Sequence, residues 1–112
     1  MLPKINRLQK QKDIAEVLKK GKGFKEEGLV LKTKKKDLGC TRFAFLVSKK
    51  VSKKATQRNK IRRRIRETVR KSIKSIRGHS DNVFISQSGI EKKDFQGIKE
   101  KVDKLLKKAN HV

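Results

Sequence analysis

Few residues of this chain could support acid–base, nucleophilic or metal chemistry. The two histidines are His79, in a turn, and His111, next to the last residue, and the eleven acidic residues show no close pairing. Cys40 is the only cysteine, so neither an intramolecular disulfide nor a cysteine-based metal site can form. Glycine-rich phosphate loops and metal-ligand spacings are absent from the sequence. We therefore expect no catalytic and no metal-ligating residue on the protein, so that any catalysis would be supplied by a partner.

Positive charge is the chemical feature that the chain does offer. The segment from Arg42 to Arg77 contains fifteen Lys or Arg residues and a single acid, Glu67, and the formal net charge over all 112 residues is +23. Like charges three and four positions apart on a helix repel one another, so this charge does not serve folding. A polyanionic partner would offset it, and nucleic acid is the expected partner.

RNA is favoured over DNA as that partner. The sequence shows no helix-turn-helix pair, heptad zipper or zinc finger. The chain has five Phe and no Trp or Tyr, so platforms for base stacking are few and arginine forks on phosphates would dominate. Two alternatives remain open on composition alone: a non-enzymatic ribosomal RNA-binding or ribosome-assembly protein, and a non-specific DNA-binding protein.

The elements that position this charge can be predicted from hydrophobic periodicity and turn residues. The segment Ala55–Arg77 is the clearest helix, because Ile61, Ile65, Val69 and Ile73 recur every four residues. Its far side carries basic residues, and Gly78 would end it. The other predicted elements are a helix within Leu8–Lys20 ended by Gly21, strands at Glu26–Lys34, Thr41–Val47 and Asp81–Ser86, and a helix capped by Asp94 and running to about Lys108.

These elements predict one α+β domain over residues 1–112, with helices packed on a small sheet as a two-layer α/β sandwich. The TRFAFLV segment is apolar on both faces, which indicates a strand covered on both sides. The N-terminal segment has no apolar run typical of a signal peptide, and no stretch approaches a membrane span. We expect a cytoplasmic protein that does not associate with membranes.

One motif is specific. The segment SKKATQRNKIRRRIRE resembles the signature of the bacterial ribonuclease P protein component, which has an Arg-Asn-Arg core, a following Lys/Arg pair and a further Arg. The core falls on Arg58, Asn59 and Lys60, the pair on Arg62 and Arg63, and the later arginine on Arg66. The flanking segments RFAFLVSKKV and DNVFIS are similar to the family's neighbouring strands, so the resemblance covers nearly the whole chain.

The resemblance implies a fold and a function. The fold would resemble the second domain of ribosomal protein S five, with the order α-β-β-β-α-β-α and a left-handed β-α-β crossover. The protein would be the accessory subunit of a ribonucleoprotein whose RNA cleaves precursor tRNA to give the mature 5′ end. Its partners would be ribonuclease P RNA, with one protein per RNA, and the 5′ leader of precursor tRNA. Mg²⁺ would act through the RNA subunit and the substrate.

The resemblance also implies two sets of contact residues. The motif residues would bind RNA together with lysines of the preceding loop, namely Lys49, Lys50, Lys53 and Lys54. The leader would lie in a cleft at Ile14, Leu18, Lys32 and Phe45. Better-known members have aromatic residues at the positions of Ile14, Leu18 and Lys32, so we expect less stacking here and more charge-driven contact through Lys32. Lys60 keeps the charge of the usual arginine but lacks its fork.

Overall fold

The order of helices and strands agrees with the order predicted from the sequence. The computed structural model describes residues 2–37, 39–76 and 78–109. In that part of the chain the elements are α1 (Gln11–Lys20), β1 (Lys22–Glu26), β2 (Leu29–Lys35), β3 (Arg42–Val47), α2 (Ala55–Ser72), β4 (Ser80–Ser86) and α3 (Phe95–Lys108). Short 3-10 turns occur at Lys4–Asn6, Ile73–Ser75 and Ile90–Lys92. The predicted order α-β-β-β-α-β-α is confirmed.

The four strands form one mixed sheet in the order β1-β2-β4-β3. The pairs β1–β2 and β2–β4 are antiparallel, and β3 pairs with β4 in parallel. A parallel pair cannot be joined by a tight turn, so α2 serves as the crossover between β3 and β4. The sheet therefore fixes where the basic helix begins and ends. The left-handedness of this crossover stays a prediction.

The number of layers differs from the predicted two-layer sandwich, because helices cover both faces of the sheet. On one face, α2 and α3 pack over a core that includes Leu31, Phe43 and Phe84. On the other face, α1 packs against β2 and β4, over a smaller cluster that includes Ala44 and Val83. The reason is the alternation along β3 and β4, which places apolar side chains on both sides. The prediction that the TRFAFLV strand is covered on both sides is confirmed.

Two element boundaries also differ from the predictions. The segment predicted as one strand at Glu26–Lys34 contains the end of β1, a turn at Glu27 and Gly28, and most of β2. The first strand was not located in advance because its sequence, KGFKE, has a single large apolar residue. The α-helical part of α2 ends at Ser72 rather than Arg77, and Arg77 lies outside the described residues.

The N-terminal segment lies along the outer edge of β3. Arg7 forms a parallel bridge with Phe43, and the backbone N–H of Leu8 donates to the carbonyl of Phe43 at 2.8 Å. The Asn6 side-chain amide donates to the carbonyl of Thr41, also at 2.8 Å. These bonds occupy backbone groups that an edge strand would otherwise leave open, and they bring the N-terminal segment close to α2.

Candidate nucleic-acid interface

Helix α2 separates an apolar face from a basic face, as the sequence predicts. Ile61, Ile65, Thr68 and Val69 are buried against the sheet and α3. Because a helix turns by about 100° per residue, the intervening residues project away from that core. The predicted RNA-contact residues of α2 that are exposed are Asn59, Lys60 and Arg63, and those that are half-buried are Arg58, Arg62 and Arg66. The helix thus presents a row of cations on a rigid support.

Glu67, the single acid between Arg42 and Arg77, forms an ion pair with an arginine of the same helix. Glu67 accepts hydrogen bonds from Arg70, with the Nη2–Oε2 distance at 3.0 Å. Hydrogen bonding from Arg70 lowers the pKa of Glu67, which keeps its carboxylate ionised at neutral pH. The pair offsets one arginine near the C-terminal end of α2. The part of α2 from Ala55 to Arg66, which holds the predicted contact residues of the helix, carries no acid.

Arg58 holds the loop that leads into α2. Its Nη1 donates to the carbonyl oxygens of Ser52 and Lys53, each at 2.9 Å. In the same loop, the Ser52 hydroxyl donates to Gln57 at 2.6 Å and accepts from the backbone N–H of Lys54 at 3.2 Å. These contacts fix the backbone from which Lys53 and Lys54 project. Arg58 therefore has a positioning role in addition to its own charge.

Asn59 and Arg62 form a second local pair. The Arg62 Nη1 donates to the Asn59 side-chain oxygen at 2.6 Å, one helical turn away. The contact orients both side chains along the basic face, and Arg62 also reaches the cavity described next. Lys49, Lys50, Lys53 and Lys54 are all exposed. The structure therefore brings the predicted RNA-contact residues together on one surface, formed by the loop and by residues 55–66 of α2.

A cavity of about 310 Å³ lies beside this surface, at the edge of β3. Arg62 and Arg66 of α2 and Arg7 of the N-terminal segment line it, and Ile14 and Phe45 contribute apolar wall. The sequence motif included Arg62 and Arg66 among the expected RNA contacts but not Arg7. Arg7 could not be predicted because the N-terminal segment pairs with β3 through backbone contacts between residues far apart in the chain. Hydrophobic periodicity does not reveal such contacts.

The four residues predicted for a leader cleft do not all meet in this cavity. Ile14 and Phe45 line it, whereas Leu18 packs in the cluster under α1. The Lys32 Nζ donates to the carbonyl of Leu18 at 2.8 Å, so its ammonium lies at the C-terminal end of α1. Phe45 stacks on Phe84 with ring centroids 6.0 Å apart, on the α2 side of the sheet. Leader contact by any of the four stays a prediction.

A second opening lies where the carboxyl ends of the parallel strands β3 and β4 meet. It has a volume of about 490 Å³ and is lined by Ser48, Lys50, Ser86 and Ser88, among others. The Ser88 hydroxyl donates to the carbonyl of Lys50 at 3.2 Å, which ties the two loops together. The Ser86 hydroxyl is buried and has no hydrogen-bond partner within the described residues. Hydroxyl and ammonium donors in one opening suit phosphate oxygens. The serines after β4 were not predicted, although the crossover topology places both loops at one edge.

A partly buried ion-pair network anchors the opposite, N-terminal ends of β3 and β4. Arg42 donates two hydrogen bonds to Asp81, both at 2.8 Å, and Lys36 lies 3.1 Å from the same carboxylate. Burial alone would raise the pKa of Asp81, but hydrogen bonds from Arg42 and Lys36 outweigh it and lower the pKa below its usual value. Donating these hydrogen bonds to the Asp81 carboxylate raises the pKa of Arg42 in turn. This network fixes the register of the parallel pair and faces no cavity named above.

The acidic, histidine and cysteine side chains that the structure describes lie apart from one another. Within the described ranges, no three His, Cys, Asp or Glu side chains come together in a group that could hold an ion. These described residues therefore do not fit a carboxylate-bound Mg²⁺ centre. No helix in the same part of the chain is long and apolar enough to cross a membrane.

The fold and this surface define a small basic α+β protein whose cationic helix follows a parallel strand. Comparison with known proteins specifies the family: the family model described as ribonuclease P matches residues 2–110, and the chain belongs to that family. The ribonuclease P protein component of Clostridium botulinum (strain 657 / Type Ba4) is 36% identical over 106 residues, which cover 95% of this chain and 96% of that protein.

Solved structures agree with this assignment. The Staphylococcus aureus RNase P protein superposes with a TM-score of 0.88 at 28% identity, covering 96% of this chain and 98% of that one. The Thermotoga maritima RNase P protein, solved in complex with 1-(4-fluorophenyl)-2-thiourea, gives a TM-score of 0.82 at 32% identity, covering 90% and 97%. The resemblance read from the sequence motif is confirmed.

Proposed function

We propose that this chain is the protein subunit of a bacterial ribonuclease P and that its basic surface binds the RNA subunit. The observation that carries this proposal is the arrangement of α2, where Asn59, Lys60 and Arg63 are exposed on one rigid face above the lysine loop. Membership of the family, over almost the whole length of the chain, favours this function over the ribosomal RNA-binding alternative.

The division of chemistry between protein and RNA follows from the side chains. The surface offers guanidinium, ammonium and hydroxyl donors, which bind phosphates but cannot activate a water molecule at neutral pH. Cleavage of precursor tRNA is therefore assigned to the RNA subunit, with Mg²⁺ held by RNA and substrate. The protein contributes binding energy and lowers the repulsion between two polyanions. We propose one protein for each RNA.

The 5′ leader of precursor tRNA is proposed to pass beside α2, through the two openings that flank it. The cavity at the β3 edge offers arginine donors beside Ile14 and Phe45. The opening at the carboxyl ends of β3 and β4 offers Ser86, Ser88 and Lys50. Both can bind phosphates, and the Phe45 ring in the first is half-buried and already stacked on Phe84. We expect leader binding to depend on charge more than on base identity.

The test is cleavage of a precursor tRNA by a bacterial ribonuclease P RNA at limiting Mg²⁺, with and without the protein. Addition of the protein is expected to stimulate correct 5′ cleavage, and the double variant Arg63→Ala/Arg66→Ala is expected to lose most of that stimulation. The matched control Lys12→Gln/Lys92→Gln removes two charges from exposed residues outside this surface and should retain it. Absence of stimulation despite tight binding to ribosomal RNA fragments would instead support the ribosomal alternative.

A further inference from the structure

A second basic cavity lies at the opposite edge of the sheet from α2. It has a volume of about 330 Å³ and lies between β1, β2 and the C-terminal end of α3. Its walls include five lysines and one aromatic ring, from Lys20, Lys22, Phe24, Lys34, Lys35 and Lys108. Cavities that hold small ligands start at about 300 Å³, so this one has room for a ligand of nucleotide size.

The charge of this cavity is only partly balanced. Glu16 lies 3.5 Å from Lys20 and 2.8 Å from Lys34, and Glu26 pairs with Lys108. Hydrogen bonding from Lys34 lowers the pKa of Glu16, and hydrogen bonding from Lys108 lowers the pKa of Glu26, so both acids are ionised at neutral pH. No ion pair within the described residues involves Lys22 or Lys35. Two ammonium groups thus remain for an anion.

Phe24 adds an aromatic surface next to these two lysines. Side chains two positions apart on a strand share a face, so Lys22 and Phe24 project to the same side of β1. The register pairs Lys22 with Thr33, which places Lys35 on that side of β2 as well. The Lys22 Nζ lies 5.6 Å from the centroid of the Phe24 ring, and the ring is half-buried. An aromatic ring with flanking cations is an arrangement that binds single-stranded nucleic acid.

We propose that this cavity binds one nucleotide of a single-stranded RNA segment, with the base on Phe24 and the phosphate at Lys22 and Lys35. The C-terminal end of α3 carries partial negative charge and would repel a phosphate, which favours the lysines of β1 and β2 for that group. Strands β1 and β3 are opposite edges of the sheet, about 14 Å apart at the usual interstrand spacing. The nucleotide bound here is therefore a different one from those on α2, and the inference rests on the proposed function.

The experiment is a backbone-amide NMR titration of the full chain with a ten-nucleotide single-stranded RNA of mixed sequence. The wild type is expected to show shifts at two separate places, the β1–β2 cavity and the first turns of α2. The Lys22→Gln/Lys35→Gln variant is expected to lose the shifts at β1–β2 and keep those at α2. The control Lys12→Gln/Lys92→Gln has the same net charge and should keep both sets.

Two further arms test the chemistry of the site. Phe24→Leu keeps an apolar side chain but removes the stacking surface, and it should weaken binding at β1–β2 by about tenfold, since a stacked base contributes about 1–3 kcal/mol. The salt dependence of binding at this site should correspond to about two phosphate contacts, a slope near −1.4 for single strands. Inorganic phosphate alone should not reproduce the shifts at Phe24.

The outcomes separate this proposal from the proposed function. Shifts at α2 without shifts at β1–β2 would overturn the second site and leave the proposed function intact. Shifts at β1–β2 that persist in the Lys22→Gln/Lys35→Gln variant would also overturn it, as would equal shifts with inorganic phosphate. Absence of shifts at α2 would instead contradict the proposed function.

Discussion

Arg58 shows how one residue of the basic surface contributes both charge and geometry. The sequence motif identifies it as an RNA contact, yet the structure places its Nη1 between two carbonyl oxygens of the loop that enters α2. A guanidinium has five donors, so these two bonds leave others for a phosphate. The consequence is that replacing Arg58 removes a contact and also loosens the backbone under Lys53 and Lys54.

We predict that Arg58→Ala weakens RNA binding more than Arg63→Ala does. Both variants lose one charge, so each should reduce the slope of log K against log salt by about one. Arg63 is exposed and makes no hydrogen bond that holds this loop, whereas Arg58→Ala should also speed amide exchange at Lys53 and Lys54. Filter binding across a salt series and hydrogen exchange measure the two effects. Equal affinities and equal exchange would contradict the positioning role.

Asp81 governs a different property, the response of stability to acid. Its folded-state pKa is lowered, so its stabilisation is complete above the unfolded value of about 4 and is lost as pH falls through the lower folded value. Asp81→Asn should cost about 2 kcal/mol at pH 7, because Arg42 and Lys36 lose the carboxylate they share and Arg42 keeps, among the described residues, only Asp13, at 3.6 Å. Urea unfolding at pH 7 and pH 3 should show the difference from wild type shrink in acid. The exposed Asp37→Asn serves as control, and a cost that does not change with pH would exclude the ion pair as its source.

Some features of the site could be predicted from the sequence, and others could not. The basic face of α2 was predictable, because helical periodicity separates Ile61 and Ile65 from the arginines between them. The partners of Lys32 and Asp81 were not, because those contacts join residues 14 and 39 positions apart in the chain. Arg7 was missed for the same reason.

At the scale of elements, the junction between α1 and β1 is closely packed around Gly21. Gly21 was predicted to end α1, and it does, but its φ of −71° is open to any residue. Crowding explains the glycine: a Cβ at this position would lie 2.4 Å from the carbonyl oxygen of Val17 and 3.1 Å from that of Thr33. Both neighbours are backbone atoms, so they cannot move aside independently of α1 and β2.

We predict that Gly21→Ala destabilises the fold by about 1–3 kcal/mol, the range typical of overpacking. Gly23→Ala is the matched control, because its nearest neighbour would be the Lys32 side chain at 4.0 Å. The control should change stability by less than about 0.5 kcal/mol. Thermal unfolding followed by circular dichroism compares the two. Equal melting temperatures would show that α1 shifts on the sheet at little cost.

The elements were predicted more reliably than their assembly. Hydrophobic periodicity and caps located α2, β3, β4 and α3, and Asp94 caps α3 as expected by accepting from the backbone N–H of Gly97 at 2.8 Å. The position of α1 on the far face was not predicted, because its apolar residues could pack on either side of a sheet. Which face a helix covers is decided by the side chains of the strands and by connection lengths, not by the helix alone.

At the scale of the whole molecule, a net charge of +23 on 112 residues opposes folding. We predict that anions which bind the folded chain raise its free energy of unfolding by more than screening at the same ionic strength would. A single-stranded oligonucleotide at one hundred times its dissociation constant should raise the free energy of unfolding by about 2.7 kcal/mol. Calorimetry compares the melting temperature in three conditions of equal ionic strength: with the oligonucleotide, in sodium sulfate, and in sodium chloride as the control. Identical melting temperatures in all three conditions would contradict stabilisation by anion binding.

The two edge strands of the sheet, β1 and β3, differ in how their outer edges are protected. The outer backbone of β3 is paired with the segment around Arg7 and Leu8, while β1 presents lysines at Lys22 and Lys25. Open strand edges are the places where sheets of separate molecules join and aggregate. Removing residues 2–8 would leave the β3 edge unprotected, with Phe45 beside it. The shortened protein would then be expected to self-associate through β3, and its solubility would depend on the very RNA that it binds.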